Sequence, residues 1–391
     1  MLLESLEVHN FRNLSGKVSW GNGLNIIYGD NGQGKTNWLE AIYLLATTKS
    51  FRTQRLQETI RFNEDLAVVR GRVAQGEEVQ REMQVTLQGS TKSISINGKR
   101  EAVTRYLGQL SAVAFTADEL DIVRGMPEAR RKFIDRGVVS LHHAYVQTLA
   151  DYNRVIKQKN RLLQDASELE MSIEKASEII APWNEQLITL STEIHHGRMD
   201  YVQRLNDVLE RRLFEREDIT IRYVSSLEGK GDLSDYASLI AERLHFRLQA
   251  EIAAGYSLIG PHRDDLEILF DGREMRAFGS SGQQRSALII LDLAAISVYH
   301  SWHHEYPLFL IDDVDAELDR KRISYLLEYL EGRTQTFVTT SKESLVEQFV
   351  ARANVYQVSN GQVVVEGSET ELISSIQSGR GRIWSSWRKR R

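Results

Sequence analysis

The chain has 391 residues, no cysteine and a formal net charge of −5. Disulfides and cysteine-ligated zinc or iron–sulfur centres are therefore excluded, and any nucleic-acid contact has to come from local basic patches, because the overall charge does not favour one. No apolar run reaches the roughly 18 residues of a membrane helix, and the opening MLLESLEVHN lacks the basic stretch and apolar core of a secretory signal. The expected setting is the cytoplasm, with no membrane partner.

In chain order, residues 1–125 read as a strand-rich α/β region. Segments 2–8 and 24–28 are expected strands, and 37–47 a helix. Between 66 and 96 short alternating segments, broken by Gly71, Gly76, Gly89 and the Asn97, Gly98 pair, predict an antiparallel meander. Residues 126–215 change character. Pro127 suits a helix start, and apolar residues recur at Ile134, Val138, Leu141, Tyr145, Leu149, Tyr152 and Ile156, the spacing of a coiled-coil seam. A second run holds Trp183, Leu187, Leu190, Ile194, Tyr201, Leu205 and Val208, with a polar turn around 164–171. This predicts an inserted antiparallel arm of about 45 Å, although amphipathic helices packed on the body share the spacing. The α/β pattern resumes over 216–367, with strands at 308–311 and 336–339 and a helix at 323–330. The basic tail, 368–391, sets Trp384 and Trp387 among Arg382, Arg388, Lys389, Arg390 and Arg391. It is either a base-stacking or partner-docking segment or a plain basic end.

Gly29, Asp30, Asn31, Gly32, Gln33, Gly34, Lys35 and Thr36 fit G-x-x-x-x-G-K-[ST] between a strand and a helix. Glycines let the backbone curl so that its N–H groups face a phosphate, and the helix start adds positive partial charge. Lys35 supplies a cation to the β- and γ-phosphates and Thr36 a hydroxyl to Mg²⁺, so ATP with Mg²⁺ is the expected ligand. The apolar strand 308–311 ends in Asp312 and Asp313. After a phosphate loop such a pair reads as a Mg²⁺ ligand acting through water or through another ligand of the ion (Asp312) and a carboxylate that polarises the attacking water (Asp313).

Ser280, Ser281, Gly282 and Gln283 precede a long apolar helix, and Ala316, Glu317, Leu318 and Asp319 follow the acids. The first set resembles the signature motif of the ABC ATPases and the second their D-loop. A helical insert between phosphate loop and signature resembles the chromosome-maintenance branch, the SMC/Rad50/RecF group. Within it, Asn10 to Asn13, Lys49 to Arg52, Gly260 to Asp265 and Ser280 to Arg285 stand in the order of the RecF family. The resemblance implies an ABC-type P-loop ATPase head that dimerises on ATP, with Ser280, Gly282 and Gln283 of one copy facing the ATP of the other. It also implies binding to single-stranded and gapped duplex DNA, loading of RecA together with RecR, and a role for Arg12 at the nucleotide phosphates. ATP hydrolysis is expected to be slow and to act as a switch. Where ABC ATPases carry a histidine, this chain has Thr339, Thr340 and Ser341, so a hydroxyl would sense the γ-phosphate.

Other readings stay open. A transporter subunit would not need the insert, a Rad50-like tether would need a cysteine hook, and a nuclease would need a second acidic cluster. Arg52, Arg55, Arg61, Arg70 and Arg72, or Arg124, Arg130, Arg131 and Lys132, could track DNA phosphates or form a solvated face. His262 could lie near nucleotide or in a capped turn, and His300, His303 and His304 lack the carboxylates of a metal site. DNA binding is expected to be independent of base sequence.

Overall fold

The structure, a computed structural model, describes residues 1–76, 79–209 and 219–367. The expected tail with Trp384 and Trp387, and the end of the expected arm, lie outside them. The strands in chain order are β1 (Leu2–Phe11), β2 (Leu14–Ser19), β3 (Leu24–Tyr28), β4 (Leu66–Gln75), β5 (Val79–Gln88), β6 (Thr91–Ile96), β7 (Lys99–Arg100), β8 (Ala112–Phe115), β9 (Ile219–Val224), β10 (Asp265–Phe270), β11 (Arg273–Glu274), β12 (Leu308–Ile311), β13 (Thr336–Thr340), β14 (Ala353–Ser359) and β15 (Gln362–Gly367). The principal helices are α1 (Lys35–Thr47), α2 (Pro127–Leu141), α3 (Tyr145–Glu168), α4 (Ile173–Val208), α5 (Tyr236–Ala254), α6 (Ser281–His303) and α7 (Arg320–Leu330).

The chain forms two compact units, Met1–Asp118 with Tyr299–Arg391, and Glu119–Val298. These divisions differ from the expected breaks at 125 and 215, because the helices after 119 share contacts with the strands and helices that follow them.

The first unit holds two six-stranded sheets, ordered β2-β1-β4-β5-β6-β7 and β15-β14-β3-β13-β12-β8. Alternate residues of β1 and β4 (Leu6 and Val8, Val69 and Val73) turn into one core with Trp38, Leu39, Ile42 and Leu45 of α1. Gly71 does not break the meander as expected. It sits inside β4, paired with Leu6 and Met83. A Cβ there would come within 2.3 Å of a Leu45 methyl, so the glycine marks the close approach of α1 to the sheet. In the second sheet β3, β13, β12 and β8 are parallel, and Leu308 to Ile311 are fully buried, as suits a strand covered on both faces. The order β3-β13-β12 brings the chain segments that leave those three strands to one edge, the usual place for a ligand in such sheets.

The second unit contains α2 to α5 and the sheet β11-β10-β9. The expected first long helix is two helices, because the chain leaves helical geometry at His142 (φ −129°) and restarts at Tyr145. The hairpin of α3 and α4 is antiparallel, with Thr148 donating to Glu193 near its base and Leu163 packing on Ile180 nearer its tip. It does not stand alone. Helix α5 lies along it, with Leu248 completing the cluster of Leu163 and Ile180. Lys159 Nζ lies 2.7 Å from Glu251 Oε2 with both side chains fully buried. Glu251 Oε1 accepts from Leu258 N at 2.8 Å and Ser257 Oγ at 2.9 Å, so one carboxylate oxygen faces the ammonium and the other is hydrogen-bonded. On α6, burial and then Glu119 raise the pKa of the buried Asp292 well above the usual carboxylate value, against the lowering effect of Arg136.

Candidate nucleotide site

Helix α1 begins at Lys35, two residues before the expected start, because Gly34 (φ 107°) turns the loop directly into it. Lys35 is 7% exposed, and its Nζ donates to the carbonyls of Gly29 at 2.9 Å and Asp30 at 3.0 Å. The ammonium is therefore held over the mouth of its own loop, beside the free N–H groups of the first helical turn.

Thr36 Oγ1 donates to Asp312 Oδ1 at 2.9 Å, across 276 residues of sequence. Thr339 Oγ1 donates to the same oxygen at 2.7 Å and accepts from Asp313 N at 2.7 Å. Thr36 spends its proton on Asp312 and keeps its lone pairs, which is what a hydroxyl ligand to a hard cation needs. Burial raises the pKa of Asp312, the two hydroxyls lower it, Asp313 raises it and Arg52 lowers it. Asp313 is exposed and adopts φ 51°, a left-handed conformation that costs a non-glycine residue about 1 kcal/mol or more. Thr340 donates to Asp315 at 2.5 Å. The buried hydroxyls of Thr339 and Thr340 are thus spent on carboxylates, and Ser341 carries the exposed hydroxyl of that segment.

The signature segment belongs to the second unit. Exposed Ser280 caps α6 with a reciprocal pair: Ser280 N donates to Gln283 Oε1 at 2.9 Å, and Gln283 N donates to Ser280 Oγ at 3.3 Å. This capping box stands at the positive end of a 23-residue helix. Asp319 of the expected D-loop caps α7 by accepting from Arg322 N at 2.9 Å.

Comparison with known proteins settles the family. The profile described as RecF/RecN/SMC N terminal domain matches residues 2–364. A Ligilactobacillus salivarius protein named "DNA replication and repair protein RecF" is 34% identical over 381 residues, covering 95% of this chain and 99% of the relative. The chain belongs to the RecF family. A Geotalea daltonii protein of the same name is 36% identical over 380 residues, 93% of this chain and 100% of the relative. A solved structure titled as RecF-ATP of the RecFOR pathway superposes with a TM-score of 0.85 at 30% identity, over 94% of this chain and 97% of that one.

Several candidate residues of this RecF-family chain have other engagements. Arg12, expected at the nucleotide phosphates, donates to Glu40 through Nε (3.0 Å) and Nη2 (2.8 Å), and to Glu58 O through Nη1 (3.0 Å). The Glu40 side chain is fully buried and also accepts from Ser50 at 2.6 Å. Arg52 donates to Asn37 at 2.8 Å, which places it on α1 near the acids. At the start of the helical region Arg130 is buried in a two-pronged pair with Asp265 (2.7 and 2.9 Å), and Arg131 donates to Asp264 O at 2.7 Å. The buried pairing of Arg130 leaves it no route to DNA phosphates, whereas Arg131 is half-exposed. Arg124 and Lys132 are exposed, beside Asp121 and Glu128. In the first unit Arg61 donates to Leu14 O at 2.9 Å, while Arg55 and Arg72 are exposed.

His262 is structural. Its Nδ1 lies 2.6 Å from Tyr152 Oη and its Nε2 3.2 Å from Ser257 O, and burial pushes its pKa down to about 4. His300 stacks on Tyr306, and His303 lies against Tyr299. Among the described residues no three His, Asp or Glu side chains are grouped to hold a metal, and no helix is long and apolar enough to cross a membrane. Sequence reasoning gave Asn13 a place in a family motif but no role, and missed Glu40, Asn37 and the Asn360, Gly361 turn. The turn is readable as an Asn-Gly hairpin, but its neighbour, the phosphate loop, is not.

Proposed function

We propose that this chain is an ATP-dependent DNA-binding protein of recombinational repair and replication. Two copies pair across ATP, bind single-stranded DNA and gapped duplex through the phosphate backbone, and release when ATP is slowly hydrolysed. By family, it helps RecR load RecA. The relatives named for DNA replication and repair and the neighbour titled with ATP support this reading.

The observation that carries it is the hydroxyl bridge from Thr36 to Asp312, beside Lys35, at one sheet edge. The fit to a magnesium triphosphate is chemical. A curled loop with a helix start behind it, a poised ammonium, a threonine with free lone pairs and a neighbouring carboxylate are the donors such a ligand requires. Bound Mg²⁺ would neutralise phosphate charge; Thr36 would hold it directly and Asp312 through water or through Thr36. Asp313 would hold the attacking water, and Thr339 fixes Asp313 by its backbone N–H.

Binding to single-stranded, gapped and blunt duplex DNA, with and without ATP over a range of salt, tests the DNA half. ATP should tighten binding to the gapped and single-stranded forms. The logarithm of the binding constant should fall linearly with the logarithm of salt, by about 0.7 to 0.9 per phosphate contacted, whatever the base sequence. Binding that ignores both ATP and salt would refute it.

A further inference from the structure

Two hairpin turns close on the phosphate loop from outside it. One joins β1 to β2 and carries Asn13. The other joins β14 to β15 and carries Asn360 (φ 49°) and Gly361 (φ 79°), the left-handed pair of a two-residue hairpin turn. The backbone N–H of Gly361 donates to Gln33 O at 2.7 Å, and that of Asn360 to Gln33 Oε1 at 2.7 Å. Asn13 Nδ2 reaches the same Gln33 carbonyl at 3.5 Å, while Asn13 Oδ1 accepts from Asn37 Nδ2 at 2.7 Å, in the first turns of α1. The fit is tight. A Cβ on Gly361 would lie 2.2 Å from Asn13 O, and one on Gly34 would lie 2.9 Å from Asn13 Oδ1 and 3.2 Å from Gly361 Cα.

The consequence lies in one peptide unit. The carbonyl of Gln33 and the N–H of Gly34 belong to the same planar trans peptide and point in opposite directions. A hairpin that holds the carbonyl outward therefore aims the Gly34 N–H inward, into the curl. Loops of this kind bring several N–H dipoles together, an arrangement that is unfavourable until an anion arrives. Holding it beforehand removes an ordering cost from ligand binding.

We propose that Asn13 and the Asn360–Gly361 turn are positioning residues for the triphosphate: they clamp Gln33 and Gly34 so that the loop is shaped before nucleotide binds. The clamp rests on the ATP-binding reading and touches the nucleotide only through the loop.

The chain supplies its own control. Asn97 (φ 50°) and Gly98 (φ 74°) make the same turn between β6 and β7, but a Cβ on Gly98 meets nothing within 4 Å. Gly361→Ala and Gly98→Ala impose the same backbone strain on the same turn chemistry. ATP affinity of the full-length chain, measured by calorimetric titration well below the melting temperature of each variant, separates them. Gly361→Ala should bind ATP at least about tenfold more weakly than the parent, and Gly98→Ala within about twofold of it. A purely structural role for Gly361 would lower its melting temperature and leave affinity in the folded state alone. Should Gly361→Ala fail to fold, Asn13→Ala carries the test, with an expected loss of about fivefold. If the parent binds ATP and the folded clamp variant binds it equally, the clamp is wrong. If the parent binds no ATP, the nucleotide reading falls and the clamp with it.

Discussion

Lys35→Met should weaken ATP binding by at least about 100-fold while the protein stays folded. Lys35 is the only cation within the loop, and contacts from it to two phosphates would be charge-assisted, at about 1.5–3 kcal/mol each. Methionine keeps the length and apolar stem of lysine, so the nearly buried site remains filled. The loop carbonyls of Gly29 and Asp30 lose their donor, but they border solvent and can hydrate. Titration with a fluorescent ATP analogue, beside a thermal melt, measures both halves. Parental affinity in a folded Lys35→Met protein would remove the loop from the nucleotide site.

Asp313→Asn should bind ATP and Mg²⁺ like the parent and lose hydrolysis by about 100- to 10,000-fold, the usual worth of a positioned general base. Asparagine tolerates the left-handed backbone of Asp313 (φ 51°). The N–H that bonds Thr339 is unchanged, so the acid cluster keeps its shape. With hydrolysis stopped, the ATP-bound dimer should persist. Light scattering reads its mass and phosphate release reads the rate. A monomer under saturating ATP, or hydrolysis within a few-fold of the parent, would count against Asp313 as the base.

The parts of the site that were legible in the sequence are those whose chemistry is local. The phosphate loop needs its residues in consecutive order, and Asp312 and Asp313 need only an apolar strand before them. Their meeting, Thr36 on Asp312, follows from the parallel order β3-β13-β12 once both strands are recognised. What the sequence does not display is what depends on distant partners. Seam spacing cannot tell a free arm from a hairpin with α5 along it, because both bury the same stripe. Gly71 looks like a turn until Leu45 is seen against it. Arg12 sits in a motif of the family, yet Glu40, 28 residues away, holds its guanidinium. The grip of Asn360 on Gln33 spans 327 residues, and no periodicity encodes it. Gln283 belongs to the signature by resemblance, and the structure gives it a second task as a helix cap.

The central claim is that ATP is sandwiched between two copies, with Lys35 of one chain and Ser280 of the other completing a single site. Ser280→Arg should leave ATP binding in the monomer nearly intact and block ATP-driven pairing, because a bulky cation replaces a small exposed hydroxyl where a phosphate must fit. Mixing Ser280→Arg protein with Lys35→Met protein decides the matter. One mixed dimer holds a site broken on both sides and a site in which intact Lys35 meets intact Ser280. The mixture should recover ATP-dependent association, read by light scattering, that neither variant shows alone. Ser280→Arg protein that pairs and hydrolyses ATP like the parent, with nothing gained on mixing, would contradict the sandwich and leave a P-loop ATPase that works as a single chain.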